Sequence, residues 1–157
     1  MTRTTTREAG FAECAQVDID DLLRSHGLRP TKARRLLLAH LKSTTRHPSA
    51  EEITDQLRRD GVGIGVATVY QNLSRLVDAG LLIRLSGSNG CSRYDADVSS
   101  HDHAVCERCG RVADFDPGPR VRNALEEVSP CDTGLGEWSL TRTSVEMLGI
   151  CPECRAS

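Results

Sequence analysis

Long apolar runs are missing from these 157 residues. No stretch of 18 or more apolar residues occurs, which excludes a membrane-spanning helix. The opening residues, MTRTTTREAGFAE, have no apolar core of the kind a secretory leader needs. Residues 1–16 read instead as a mobile tail on a cytoplasmic protein. Aromatic side chains are also scarce: two Phe, two Tyr and one Trp. A core built without them is aliphatic and small, and such cores often need a staple or a partner subunit. A strong excess of one charge is lacking too, with a net charge of −2. That figure hides an asymmetry. Residues 1–95 carry 14 Lys and Arg against 11 Asp and Glu, a net of +3, whereas residues 96–157 carry 6 against 11, a net of −5. The first part suits a polyanion and the second suits cations.

Cysteine, by contrast, is plentiful for a cytoplasmic chain, at seven residues. Four form two C-x-x-C pairs, Cys106/Cys109 and Cys151/Cys154. Cys14, Cys91 and Cys131 are left over, an odd number that does not favour a closed disulfide framework. In a reducing compartment paired C-x-x-C reads as metal, and four thiolates suit tetrahedral Zn²⁺ without redox chemistry. The 41 residues between Cys109 and Cys151 exceed the spacing of a single finger, so the zinc joins the two ends of a small domain. The three cysteines outside the C-x-x-C motifs read as small packing or surface residues.

Hydrophobic spacing organises the rest. In VDIDDLLRSHG, Ile19, Leu22, Leu23 and His26 share a helical stripe that Gly27 can end. In PTKARRLLLAHLK the stripe is Ala33, Leu36, Leu37, His40 and Leu41. Ser49-Ala-Glu-Glu52 is a capping box, followed by an inner face of Ala50, Ile53 and Leu57 and closed by Gly61. Along 66–79, Val66, Val69, Leu73, Leu76 and Val77 form one face, and Thr68, Gln71, Asn72 and Arg75 a polar neighbouring face. Two such helices with a short glycine-containing turn suggest a helix-turn-helix. LLIRLSGSNGCSRYDAD then reads as a hairpin, completing a winged helix. Beyond residue 100, HAVC and RVADF read as short strands about the turn ERCG, VRNALEEV as a helix with Val121, Leu125 and Val128, and WSLTRTSVEMLGIC as one or two more strands. The expected fold is α+β: a tail at 1–16, a winged-helix DNA-binding domain at 17–96, and a small α/β dimerisation domain at 97–157 stapled by a four-cysteine zinc.

His101 and His103 stand two apart, which on a strand puts both rings on one face and Asp102 on the other. Imidazole and carboxylate together suit Fe²⁺, Mn²⁺ and Zn²⁺. A deaminase would need His-x-Glu and Pro-Cys-x-x-Cys; here the first motif is His-Asp-His and Val105 precedes Cys106, so no enzyme is expected. A zinc-stabilised interaction module remains a third class, but it has no need of the polar stripe at 68, 71, 72 and 75.

The order of elements, the segment ATVYQNL and the stretch HDHAVCERCGRVADF resemble the ferric uptake regulator family of metal-dependent repressors, from about residue 20 to Cys154. That resemblance implies a regulatory metal, Fe²⁺ or Mn²⁺, held at the hinge by His47, Asp95, His101, His103 and Asp114, beside a structural Zn²⁺ on Cys106, Cys109, Cys151 and Cys154. Asp rather than Glu at position 114 resembles the peroxide-sensing branch, which implies oxidation of His47 or His101 by hydrogen peroxide at an iron-loaded site. An iron-, manganese- or zinc-uptake regulator without peroxide sensing is the alternative. The resemblance also implies a homodimer on double-stranded operator DNA, read through Thr68, Tyr70, Gln71, Asn72 and Arg75, with Lys32 on a phosphate or in the minor groove. Many relatives have a further site near the dimer core. Ser100 and the TRT of 141–143 depart from its pattern, so two metals per subunit are expected.

Overall fold

Leucine spacing builds the first half of the chain. The computed structural model describes residues 18–87, 90–128, 134–139 and 143–156. The tail at 1–16, Cys14 and Cys131 lie outside the described residues. Four helices, α1 (Ile19–Ser25), α2 (Lys32–Lys42), α3 (Ala50–Arg59) and α4 (Val66–Asp78), pack around Leu23, Leu37, Leu38, Leu41, Ile53, Leu57, Val69, Leu73 and Leu76. The Asp18 and Thr31 side chains cap α1 and α2. Ser49 and Glu52 form the expected capping box on α3, satisfying two N–H groups that the helix start leaves unpaired. Gly27, Gly61 and Gly80 all take positive φ where α1, α3 and α4 end.

Strands β1 (Ile83–Ser86) and β2 (Ser92–Asp95) pair antiparallel as the wing. Alternation along β2 sends its side chains to two different buried environments. Tyr94 points into the helical core, whereas its neighbours Arg93 and Asp95 face the opposite side and are also buried. The Tyr94 N–H donates to the Pro48 carbonyl, and Ser49 pairs with Arg93, so β2 lies against the loop entering α3.

The second sheet has the order β4-β3-β5, from β3 (Asp102–Cys106), β4 (Val112–Phe115) and β5 (Glu146–Gly149). β3 runs antiparallel to β4 and parallel to β5, with the intervening chain including α5 (Pro119–Glu126). A last helix, α6 (Pro152–Ala156), carries Cys154. The stretch 138–151 thus contributes one strand; 140–142 lie outside the described residues.

Three expectations on packing need correction. The buried face of α2 is Arg34, Leu37, Leu38 and Leu41, rotated from the expected stripe, because three successive leucines leave the facing direction to tertiary contacts. His26 is exposed, although its Nδ1 sits 2.8 Å from the Ala79 carbonyl. Val66 is exposed as well, since the first turn of α4 projects past the core.

Candidate metal centres

The thiolate cluster closes the C-terminal part. Cys106 ends β3, Cys109 sits in the β3–β4 turn, and Cys151 and Cys154 flank and occupy α6. One sulfur from each lies within 4.8 Å of the others, and the Cys109 and Cys151 Sγ atoms are 3.8 Å apart. Zn–S bonds of about 2.3 Å in a tetrahedron give sulfur separations of about 3.8 Å. The Cys151 N–H donates to Cys106 Sγ at 3.3 Å. N–H groups of Cys151, Cys109 and Arg108 lower the Cys106 thiol to about 6, whereas Cys154, hydrogen-bonded to the crowded Cys151 and Cys109 sulfurs, is pushed up to about 12. The cage therefore favours the thiolate at Cys106 and opposes it at Cys154; holding four thiolates together calls for a dication. Arg108 donates to the Cys154 carbonyl and Arg111 pairs with Glu153, so each C-x-x-C segment also grips the other.

The second cluster lies where the winged helix meets the three-stranded sheet. His47 comes from the loop before α3, Asp95 from the end of β2, His101 and His103 from the start of β3, and Asp114 from β4 directly opposite His103. Asp95 Oδ2 lies 3.4 Å from His47 Nε2, 2.8 Å from His101 Nε2 and 3.8 Å from His103 Nε2. Asp114 Oδ1 lies 2.9, 3.5 and 3.7 Å from the same three nitrogens. Asp95 Oδ2, His101 Nε2 and His103 Nε2 are buried and make no hydrogen bond despite these distances. They aim at a shared point rather than at one another. Buried polar atoms left so are costly unless a common partner satisfies them. Three imidazoles and two carboxylates fit a borderline divalent ion such as Fe²⁺ or Mn²⁺. His47 is 2% exposed and the only described non-glycine residue with positive φ, at 48°. Backbone held in that region at a ligand marks a position the surroundings enforce.

The pattern of the ferric uptake regulator family matches residues 25–131. The chain belongs to this family. It is 34% identical over 133 residues to the peroxide-responsive repressor PerR of Staphylococcus aureus, covering 85% of this chain and 86% of that one. Among solved structures, the Vibrio cholerae ferric uptake regulator superposes with a TM-score of 0.73 at 31% identity, covering 85% of this chain and all of that one. The Pseudomonas aeruginosa ferric uptake regulator with manganese gives 0.69 at 29%, covering 85% and 98%. This family member is a regulator and not an enzyme. Among the described residues only two clusters could hold a metal, the two above.

Helix α4 presents Thr68, Tyr70, Gln71 and Arg75 outward, and Lys32 is exposed at the start of α2. Lys32 and Thr68 line one cleft of about 350 Å³ with the 61–65 turn. Asn72 is a correction. It is 9% exposed, and its Nδ2 donates to the Thr68 carbonyl at 2.8 Å, one turn back, so the side chain is buried and tied to its own helix rather than offered outward. Tyr70 donates its hydroxyl to Glu51 Oε1 at 2.6 Å, which pushes the phenol up to about 12. Cys91 lies at the same carboxylate, 3.8 Å from Glu51 Oε2, away from both metal clusters. Asp102, expected to make no site, is buried with Oδ1 accepting the Val145 N–H at 2.7 Å, which pins β5.

Electrostatics at the hinge sets a pH response. Burial lowers the His47 pKa, but Asp95 and Asp114 outweigh it and the net shift is upward; His103 goes down through burial and the neighbouring His101 and His47 rings. Burial raises Asp95, and His47 and the Asp97 N–H reverse it to a net lowering. In the metal-free protein, His47 contributes stability that is complete below the ordinary histidine value and is lost as pH rises through its raised one. Asp95 contributes stability that is complete above the ordinary aspartate value and is lost as pH falls through its lowered one. Their pairing is therefore strongest between about pH 4 and 6.5. Metal needs the neutral ring, so the two trends oppose. Manganese affinity is expected to fall as pH drops through the histidine range, with the raised His47 competing through its proton. Titrations across that range check it; a flat profile contradicts a site built on imidazoles.

Proposed function

We propose that this chain is a metal-dependent transcriptional repressor. It binds operator DNA as a homodimer when Fe²⁺ or Mn²⁺ occupies the hinge, and it senses hydrogen peroxide. The observation that carries this reading is the origin of the five hinge donors. His47 and Asp95 come from the winged helix, and His101, His103 and Asp114 come from the sheet beyond it. Residues that converge on one point from both sides fix the angle between a DNA-reading domain at 17–96 and a dimerisation domain at 97–157. In a two-fold dimer that angle sets the separation of two recognition helices, and half-sites on one face of B-DNA lie about 34 Å or a multiple apart. Metal occupancy thus biases a two-state equilibrium through differential affinity.

The dimer is supported by what the C-terminal part leaves uncovered. Trp138, Met147, Leu148 and Ile150 are all well exposed, and β5 is a sheet edge among the described residues. Reduced thiols in a zinc cage suit the cytoplasm. Thr68, Tyr70, Gln71 and Arg75 are the candidates for DNA contact, with Lys32 at a phosphate.

Ferrous iron, when bound, supplies redox chemistry with hydrogen peroxide. His47 and His101, whose ring nitrogens face the site, would be the side chains within its reach. One peroxide oxygen would be added to the His47 or His101 ring with loss of water, and the altered ring would no longer donate as before. His101 is the more open of the two, with its side chain 16% exposed against 1% for His47. The family likeness to a peroxide-responsive repressor supports this branch, and the alternative is an iron-, manganese- or zinc-uptake regulator. A duplex selected from a randomised pool with manganese-loaded protein separates them. Iron-loaded protein is expected to release that duplex after peroxide, with a +16 mass on a His47 or His101 peptide, whereas manganese-loaded protein stays bound. Retained binding with no added mass assigns the protein to metal uptake instead.

A further inference from the structure

Arg93 is charged and buried, and its guanidinium lies where the two parts of the chain meet. Nε donates to the Gly110 carbonyl, in the turn that carries Cys106 and Cys109. Nη1 donates to the His47 carbonyl at 3.0 Å and to Glu52 Oε2 at 3.0 Å; Nη2 reaches Glu52 Oε1 at 3.3 Å. Glu52 is itself fixed, with Oε2 accepting the Ser49 N–H at 3.0 Å. One planar fork therefore ties together two stretches far apart in sequence: the thiolate turn, and the loop carrying His47 with the start of α3 that follows it. The strand that supplies the fork supplies Asp95 two residues on, facing the same side. Its bond to the His47 carbonyl also falls on the one described non-glycine residue whose backbone is held at positive φ. A buried guanidinium costs free energy unless its donors are matched, and here they are matched by groups from both sides of the hinge.

We propose that Arg93 is the positioning residue that couples the two metal centres: through it the order of the thiolate turn sets the placement of His47, and so the metal affinity of the hinge. This rests on reading the hinge cluster as the regulatory metal site. Lysine at this position keeps the charge but not the fork, so it cannot serve three acceptors in fixed directions. Groups one step removed from a metal typically change its affinity by about 10–100-fold when lost.

The test compares zinc-loaded parent, Arg93→Gln and Arg93→Lys by hydrogen exchange without manganese and by manganese titration. Arg93→Gln is expected to keep its zinc, to exchange faster at residues 46–49 and 107–112 together, and to bind manganese about 10–100-fold more weakly, with Arg93→Lys intermediate. A merely local packing role would quicken one segment only. That result overturns the proposal, as does folded, zinc-loaded Arg93→Gln with the parent's manganese affinity. If Arg93→Gln loses its zinc, Arg93→Lys decides: parental exchange in both segments with parental affinity overturns the coupling. A parent that binds no manganese overturns the hinge reading, and the exchange of the two segments still distinguishes that failure from a failure of the coupling.

Discussion

Cys106→Ser is expected to release the zinc and unfold the C-terminal part while the N-terminal helices stay folded. The reason is the uneven distribution of buried apolar surface. The core around α1–α4 and the wing contains nine leucines together with Ile53, Val69, Ala50 and Tyr94, all nearly inaccessible. Beyond residue 97 the buried apolar residues among those described are Val105, Cys106 and Val112, while α5 and α6 bury none. Cys106 belongs to the cage, and two valines at about 1.5–3 kcal/mol each cannot offset the ordering of a three-stranded sheet. Zinc on four thiolates supplies about 10–16 kcal/mol in small peptides, which rivals the whole stability of a typical domain. Cys106 also accepts the Cys151 N–H, so its loss frees both the sulfur cage and the end of the parallel β3–β5 pair. Zinc analysis, size-exclusion chromatography and limited proteolysis check this: the variant should lack zinc, run as a monomer, and yield a protected fragment ending near residue 96. A variant that keeps zinc and the parent's melting temperature contradicts it.

Both metal clusters were legible in the sequence to different degrees. C-x-x-C repeated twice needs little context, because two thiolates on one tight turn have few other uses. His101 and His103 announce themselves by the two-residue period of a strand. His47 and Asp114 carry no local signal; they entered through likeness to the family, and the shared point they face with Asp95 exists only after folding. The misreadings share one cause. Asn72 has helical spacing with Thr68 and Arg75, yet spacing alone does not say that its amide turns back on the Thr68 carbonyl. Likewise Leu36, Leu37 and Leu38 are equivalent in the sequence, and contacts with α4 and α1 choose Leu37 and Leu38. Arg93 was invisible for the opposite reason. A lone arginine in a wing reads as a DNA contact or a solvated charge, and only the carbonyls of His47 and Gly110, 46 and 17 residues away, give it a role.

His103→Ala is expected to leave the fold and the zinc intact and to abolish the effect of manganese on DNA binding. His103 is buried at the site, with its ring 4.4 Å from that of His101 and 5.4 Å from that of His47 between centroids, and it pairs across the sheet with Asp114. It belongs to the other cluster, three residues before Cys106 on β3, so the zinc should be retained. Its own burial and its two imidazole neighbours make the protonated ring unfavourable, which leaves it neutral and ready as a donor at pH 7. Removing it takes a nitrogen from the side of the hinge that the winged helix does not supply. Swinging a two-state equilibrium from mostly open to mostly closed takes a differential affinity of about 10⁴-fold, or about 5.5 kcal/mol. A cluster with one imaginable substitute, a water in place of the ring, falls short of that. Outer partners alone change affinity by about 10–100-fold, so loss of a direct ligand should exceed a hundredfold in manganese affinity. DNA binding measured with and without manganese should then coincide in the variant, at the parent's metal-free value. A His103→Ala protein whose grip on DNA still tightens with manganese removes the hinge from the mechanism, because Asp95 on the wing and Asp114 on the sheet would be bridged without one of the three imidazoles that face them.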